Sequence, residues 1–287
     1  MTTVSAIPRV VGVLGGGRMG AGIAHAFLTK GATVIVVERD HEAAAGAHSR
    51  VADAVAKSAA RGTLAETTDE AMSRFSTSTD YESFVHCGLV VEAVPEDYDL
   101  KVTALKAVED HLSADAFLAS NTSSLSVTGL ANELRRPANF VGLHFFNPVP
   151  ASTLIEVVLA KETSPELSEA AKSWTEALGK TAVVVNDAPG FASSRLGVAI
   201  ALEAMRMVEE GVASAEDIDA AMVLGYKHPT GPLKTTDIVG LDVRLGIAEY
   251  LQSTLGDRFA PPQILRDKVA RGELGRKTGK GFFDWND

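Results

Sequence analysis

His144 closes the apolar segment Phe140-Val141-Gly142-Leu143, and Glu156 lies twelve residues further on, inside a second apolar segment, Leu154 to Val158. A carboxylate buried without a partner is costly. An imidazole is a fitting partner, because a carboxylate on one ring nitrogen fixes the tautomer and leaves the other nitrogen to move protons. The two residues read as a His–Glu acid/base dyad. His25, His41, His48, His86 and His111 lack metal-ligand spacing and read as surface or helix-face residues, and His228 as one that shapes a loop. No metal site is expected.

A second constellation stands near the N-terminus. The apolar run Val10-Val11-Gly12-Val13-Leu14 ends in Gly15-Gly16-Gly17-Arg18-Met19-Gly20, and Ala21 to Lys30 is helix-compatible. Gly31 closes that helix, and Thr33-Val34-Ile35-Val36-Val37 forms a second strand ending at Glu38. A glycine-rich turn alone is common. One that follows a strand, opens a helix and has an acidic residue at the tip of the next strand is a dinucleotide-binding signature. Gly15 permits the tight turn, Gly17 lets the backbone approach a pyrophosphate, and Gly20 lets helix and strand pack closely. The pyrophosphate would rest on the helix N-terminus. Glu38 would bind the ribose hydroxyls and repel a 2′-phosphate, which favours NAD over NADP; Arg39 beside it pulls the other way.

Strands and helices keep alternating through the first half. Leu89 to Val94, Ala116 to Ser120, Phe140 to His144, Leu154 to Val158 and Ala182 to Val185 read as strands. His41 to Arg61, Ala65 to Arg74 and Asp99 to Leu112 read as helices. This pattern predicts a Rossmann-type, doubly wound, mostly parallel α/β sheet. Ligands of such sheets lie beyond the carboxyl ends of the strands, where Glu38, Ser120 to Ser123 and His144 all fall. The turn-rich Asn186-Asp187-Ala188-Pro189-Gly190 marks a boundary. The expected domains are 1–187 and an all-α C-terminal 188–287, with a strand only at Gly281 to Trp285.

The bulk properties fit this picture. The chain has 287 residues, 46% of them hydrophobic and 22% charged, enough for two globular cores. A net charge of −10 argues against a general nucleic-acid or membrane-surface binder. Cys87 is the only cysteine and reads as a small buried hydrophobe, so no disulfide framework or thiolate metal site is expected. With neither a signal-peptide pattern nor a bilayer-length apolar run, the cytoplasm is the expected compartment.

Taken together, the residues resemble the L-3-hydroxyacyl-CoA dehydrogenase family, nearly end to end. The resemblance runs through the glycine turn, Val-Val-Glu-Ala-Val-Pro-Glu at 90–96, Ser-Asn-Thr-Ser-Ser at 120–124 and Gly-Leu-His-Phe-Phe-Asn-Pro at 142–148. It continues through Ala-Pro-Gly-Phe at 188–191, His-Pro-Thr-Gly-Pro at 228–232 and Gly-Arg-Lys-Thr-Gly-Lys-Gly-Phe at 275–282. It implies NAD-dependent interconversion of 3-hydroxyacyl-CoA and 3-ketoacyl-CoA, of the kind used in fatty-acid β-oxidation. A short chain such as 3-hydroxybutyryl-CoA is expected, in a homodimer joined through the C-terminal domain. Carried over by position, His144 is the acid/base, Glu156 its orienting partner, and Ser123 a ligand of the reacting oxygen. Glu96, Lys101, Asn147 and Lys277 fall at NAD-contacting positions, and Arg61 near a CoA-contacting one.

One position departs from the family pattern. Where Pro-Gly-Phe-x-x-Asn-Arg is usual, Ser194 stands before Arg195. That asparagine supports the oxygen chemistry beside the dyad, and losing a donor to a developing oxyanion can cost ~10²–10³ in rate. The change marks either lower activity or a different acyl group. Two rival readings follow: a dehydrogenase of a free hydroxy acid, and a catalytically lapsed dinucleotide binder. A basic CoA-facing groove separates the first from the main reading, and Arg50, Lys57 and Arg61 are its scattered candidates.

Overall fold

The structure is a computed structural model that describes residues 7–285. The chain divides into two compact units, Met1–Asp187 and Ala188–Asp287.

The first unit is built on an eight-stranded sheet of order β3-β2-β1-β4-β5-β6-β7-β8. Its strands are β1 (Val10–Leu14), β2 (Thr33–Val37), β3 (Phe75–Ser78), β4 (Leu89–Glu92), β5 (Phe117–Ser120), β6 (Phe140–Phe145), β7 (Leu154–Leu159) and β8 (Thr181–Asn186). The central strands are runs of valine, isoleucine and leucine, as parallel strands covered on both faces require. Around them lie α1 (Arg18–Leu28), α2 (His41–Ala60), α3 (Thr68–Met72), α4 (Tyr98–His111), α5 (Val127–Asn132) and α6 (Pro165–Ala177). The largest core cluster runs from Val11 and Phe27 through Val91 and Phe145 to Trp174. Trp174 is therefore a packing residue, and Cys87 is buried as expected, its thiol pushed up to about 12 by burial.

Three features of this unit depart from the sequence expectation. The segment Phe75–Ser78 is a strand at the sheet edge, with only Phe75 fully buried, so it lacks the apolar run by which its neighbours are recognised. The helix expected over 65–74 shrinks to α3, fixed at its start by a capping box in which Thr67 and Glu70 serve each other's backbone N–H. His25, expected on a surface or helix face, is instead 5% exposed, with Nε2 2.8 Å from Ser58 Oγ between α1 and α2.

All strand pairs are parallel except β6–β7, where the chain turns back and pairs antiparallel. The register sets His144 directly opposite Glu156.

The second unit is helical: α7 (Ser193–Glu209), α8 (Ala215–Ala220), α9 (Pro232–Val239), α10 (Leu241–Leu255) and α11 (Gln263–Ala270). Its core gathers Leu202, Met205, Leu233, Leu251 and Leu265. The strand expected at Gly281 to Trp285 is a turn with isolated bridges, Gly275 to Lys280 and Lys280 to Asp284. Asp237, fully buried, replaces a strand partner there: its carboxylate accepts from the Phe282 and Phe283 N–H at 2.9 Å and from Trp285 Nε1 at 2.8 Å. Among the described residues, no helix is long and apolar enough to cross a membrane.

Candidate active site

The glycine turn between β1 and α1 has the shape a dinucleotide needs. Gly15 sits at φ +88°, where a side chain would be strained. A Cβ on Gly20 would stand 1.8 Å from the Gly15 carbonyl oxygen, so only glycine lets helix and turn close up. A Cβ on Gly17 would meet nothing within 4 Å, so the space beside its backbone is open. Gly17 is also the N-cap of α1 and offers no side-chain cap, so the first-turn N–H groups face outward unserved by any side chain. A pyrophosphate fits those donors and that space.

Glu38 faces the same turn. Its Oε1 accepts from the Gly16 N–H at 2.8 Å and its Oε2 from the Arg39 N–H at 3.2 Å. Arg39 is drawn to Asp40, Nε to Oδ2 at 3.0 Å, which blunts its pull toward a 2′-phosphate. Arg50 reaches back from α2 and donates from Nε to the Gly16 carbonyl at 2.9 Å. These residues, with Gly17 and Gly46, line a cavity of about 530 Å³.

At the other side of the crevice stands the dyad. His144 Nδ1 lies 2.8 Å from Glu156 Oε2, with His144 5% exposed and Glu156 fully buried. A carboxylate at Nδ1 places the proton on that nitrogen and leaves Nε2 as the basic one. The Phe146 ring packs against the imidazole at a centroid distance of 4.4 Å. Asn121, at the end of β5, accepts from the Phe145 N–H at 2.8 Å and so ties that strand end to the dyad strand.

Between the two lies a polar network. Glu92 ends β4 fully buried, and accepts from Lys101 Nζ at 2.6 Å, the Val94 N–H at 2.7 Å and Ser120 Oγ at 2.5 Å. Lys101 also reaches the Val94 carbonyl at 3.1 Å and Glu96 at 3.4 Å. Glu96 Oε1 gathers Thr122 Oγ1 at 2.7 Å and the Ser123 and Ser124 N–H groups at 2.8 and 3.1 Å. Burial works against charging Glu96, but Lys101 and these donors outweigh it and hold its carboxyl below the usual glutamate value. Ser123 is thereby pinned by its backbone N–H.

The remaining expected residues fall as follows. Asn147 is exposed, just after β6, at the cis Asn147–Pro148 bond. Arg61 is exposed and caps the end of α2. In the second unit, Lys277 Nζ lies 2.6 Å from both Asp242 oxygens, and Ser194 stands in the first turn of α7. Sequence alone assigns no role to Glu92, and places Asn121 only within the Ser120 to Ser123 stretch at the ligand end of the sheet. Glu92 was legible as an acidic residue closing an otherwise apolar strand, Asn121 as the polar residue after the next one.

Comparison with known proteins places the chain in a family. Residues 10–188 match the family described as 3-hydroxyacyl-CoA dehydrogenase, NAD binding domain, and residues 190–285 its C-terminal domain. The chain is 39% identical to pig hydroxyacyl-coenzyme A dehydrogenase, mitochondrial, covering 96% of this chain and 90% of that one. It is 36% identical to 3-hydroxybutyryl-CoA dehydrogenase of Clostridioides difficile, over 96% and 98% of the two chains. The crystal structure of (S)-3-hydroxybutyryl-CoA dehydrogenase PaaH1 from Ralstonia eutropha superposes with a TM-score of 0.93 at 37% identity, covering 98% and 100% of the chains. With a dinucleotide turn, a buried His–Glu pair and near-complete matches in both halves, the chain belongs to the 3-hydroxyacyl-CoA dehydrogenase family, a family of NAD-dependent oxidoreductases.

Proposed function

We propose that this chain interconverts (S)-3-hydroxyacyl-CoA and 3-ketoacyl-CoA, with His144 as general acid/base. The observation that carries the reading is the 2.8 Å contact between His144 Nδ1 and Glu156, at the edge of the sheet where the carboxyl end of β6 lies with those of β1 and β2, which lead into Gly15, Gly17 and Glu38. When bound, NAD accepts or returns the hydride at the substrate carbon.

The chain's own residues do the rest. In oxidation, His144 Nε2 takes the hydroxyl proton, and the buried Glu156 carboxylate stabilises the imidazolium that forms. In reduction the histidine starts protonated and returns the proton. Ser123 Oγ holds the reacting oxygen from a backbone fixed by Glu96. Gly17 and the α1 N-terminus take the pyrophosphate, Glu38 the ribose hydroxyls, and Asn147 and Lys277 further parts of the cofactor. Glu96 and Lys101 meet the cofactor as well, with Lys101, 1% exposed, held in place by Glu92. Arg61 is assigned to CoA, Ser194 to the thioester side, and the helical unit to a homodimer interface.

Following NADH absorbance with acetoacetyl-CoA, beside free acetoacetate and with NADPH as cofactor control, tests the reading. Rapid NADH oxidation only with the thioester is expected. Turnover of the free acid alone would move the protein to the hydroxy-acid reading.

A further inference from the structure

Arg244, on α10, is 8% exposed, and its Nε is buried with no acceptor. Among the described residues its guanidinium forms no ion pair and no hydrogen bond. Acids of the same unit are committed elsewhere: Asp242 to Lys277, Asp237 to the Phe282, Phe283 and Trp285 donors, and Asp219 to the Leu233 and Lys234 N–H groups. A buried charge without a counter-charge is a standing cost in stability. Arginine stays protonated at neutral pH even though burial lowers its pKa.

The space around Arg244 is shaped for it. A Cβ on Gly197 would lie 3.3 Å from Nη1 and 3.7 Å from Nη2, so a bulkier side chain on α7 would crowd the guanidinium. Gly197 is three residues after Ser194, so the two share one face of α7. The guanidinium therefore lies along the helix face that carries the position assigned to the thioester side.

Resting on the proposed reaction, we infer that Arg244 is a substrate-binding residue for an anionic group on the acyl chain, a terminal carboxylate held by the planar guanidinium fork. A carboxylate matches that fork with two parallel hydrogen bonds. Ser194 and Arg244 then belong together: one departs from the family pattern at the reacting end, and the other supplies a counter-charge further along the chain.

The test compares 3-oxohexanoyl-CoA with 3-oxoadipyl-CoA, which have equal chain length and differ in the terminal carboxylate. For wild type, kcat/KM is expected to be higher with the carboxylated substrate. Arg244→Met should lower that value about 10- to 100-fold, the size of a lost charge-assisted hydrogen bond, and leave 3-oxohexanoyl-CoA unchanged or improved. Arg244→Lys, which keeps the charge but not the fork, should fall between. Equal wild-type rates on both substrates would overturn the inference while leaving the reaction standing. An equal loss on both in Arg244→Met would also overturn it, by assigning the arginine to a CoA phosphate. Failure of wild type on both would overturn the reaction itself, and the inference with it.

Discussion

Each unit buries one long cation, and the two are treated in opposite ways. Lys101 in the sheet unit is 1% exposed and sits between Glu92 at 2.6 Å and Glu96 at 3.4 Å. Arg244 in the helical unit is 8% exposed and has no counter-charge among the described residues. The first is complete without a ligand, and its work is to hold Glu96 and, through it, the Ser123 backbone. The second is complete only when something anionic arrives. Burial alone does not tell a structural cation from a binding one; the state of its partners does.

The sharpest way to probe this contrast is to remove a buried ionisable group whose partnership is catalytic. His144→Gln should lower kcat by ~10²–10⁴ while NADH affinity, read by fluorescence titration, stays near wild type. Near-native turnover would sink the dyad assignment. Next come the two cations. Lys101→Met should cost about 3–5 kcal/mol in urea unfolding, because the buried Glu92 loses its counter-charge. Arg244→Met should match or exceed wild-type stability, since it removes a charge that no protein group offsets. Equal destabilisation by both would erase the distinction drawn between them.

The smallest effect comes from His25, whose Nδ1 is buried without a partner. Burial, with Lys180 adding to it, lowers its pKa from the ordinary 6.5. The unfolded chain then binds more protons than the folded one below that value. Stability is therefore full above about pH 6.5 and falls as pH drops toward the lowered folded value, with a slope of at most about 1.4 kcal/mol per pH unit. Thermal melts across that window should show the decline in wild type and a flatter profile in His25→Gln.

Much of this was readable from residue order alone, and the gaps have physical causes. The glycine turn, Glu38 and His144 announce themselves because strand, turn and helix signals there are local and agree with one another. β3 escaped because an edge strand with a single fully buried residue carries little periodicity. His25 was misjudged because its burial depends on α2 packing across α1, a contact between distant stretches of chain. Arg244 drew no notice at all, since the absence of a partner is a property of the folded molecule. The direction of β7, likewise, is set by where the chain turns and not by the composition of the strand.

That reversed strand has a consequence for how the chemistry tolerates change. His144 and Glu156 meet because two neighbouring strands run in opposite directions with a fixed offset. The stretch 146–153 that joins them can vary in length and sequence while the offset survives. One residue inserted within β7 itself would rotate Glu156 to the far face of the sheet. Outside Phe146, Asn147 and the buried Val149, redesign of this enzyme can therefore treat the connecting loop as editable ground, while the spacing inside the two strands is a frame that admits substitution but not insertion.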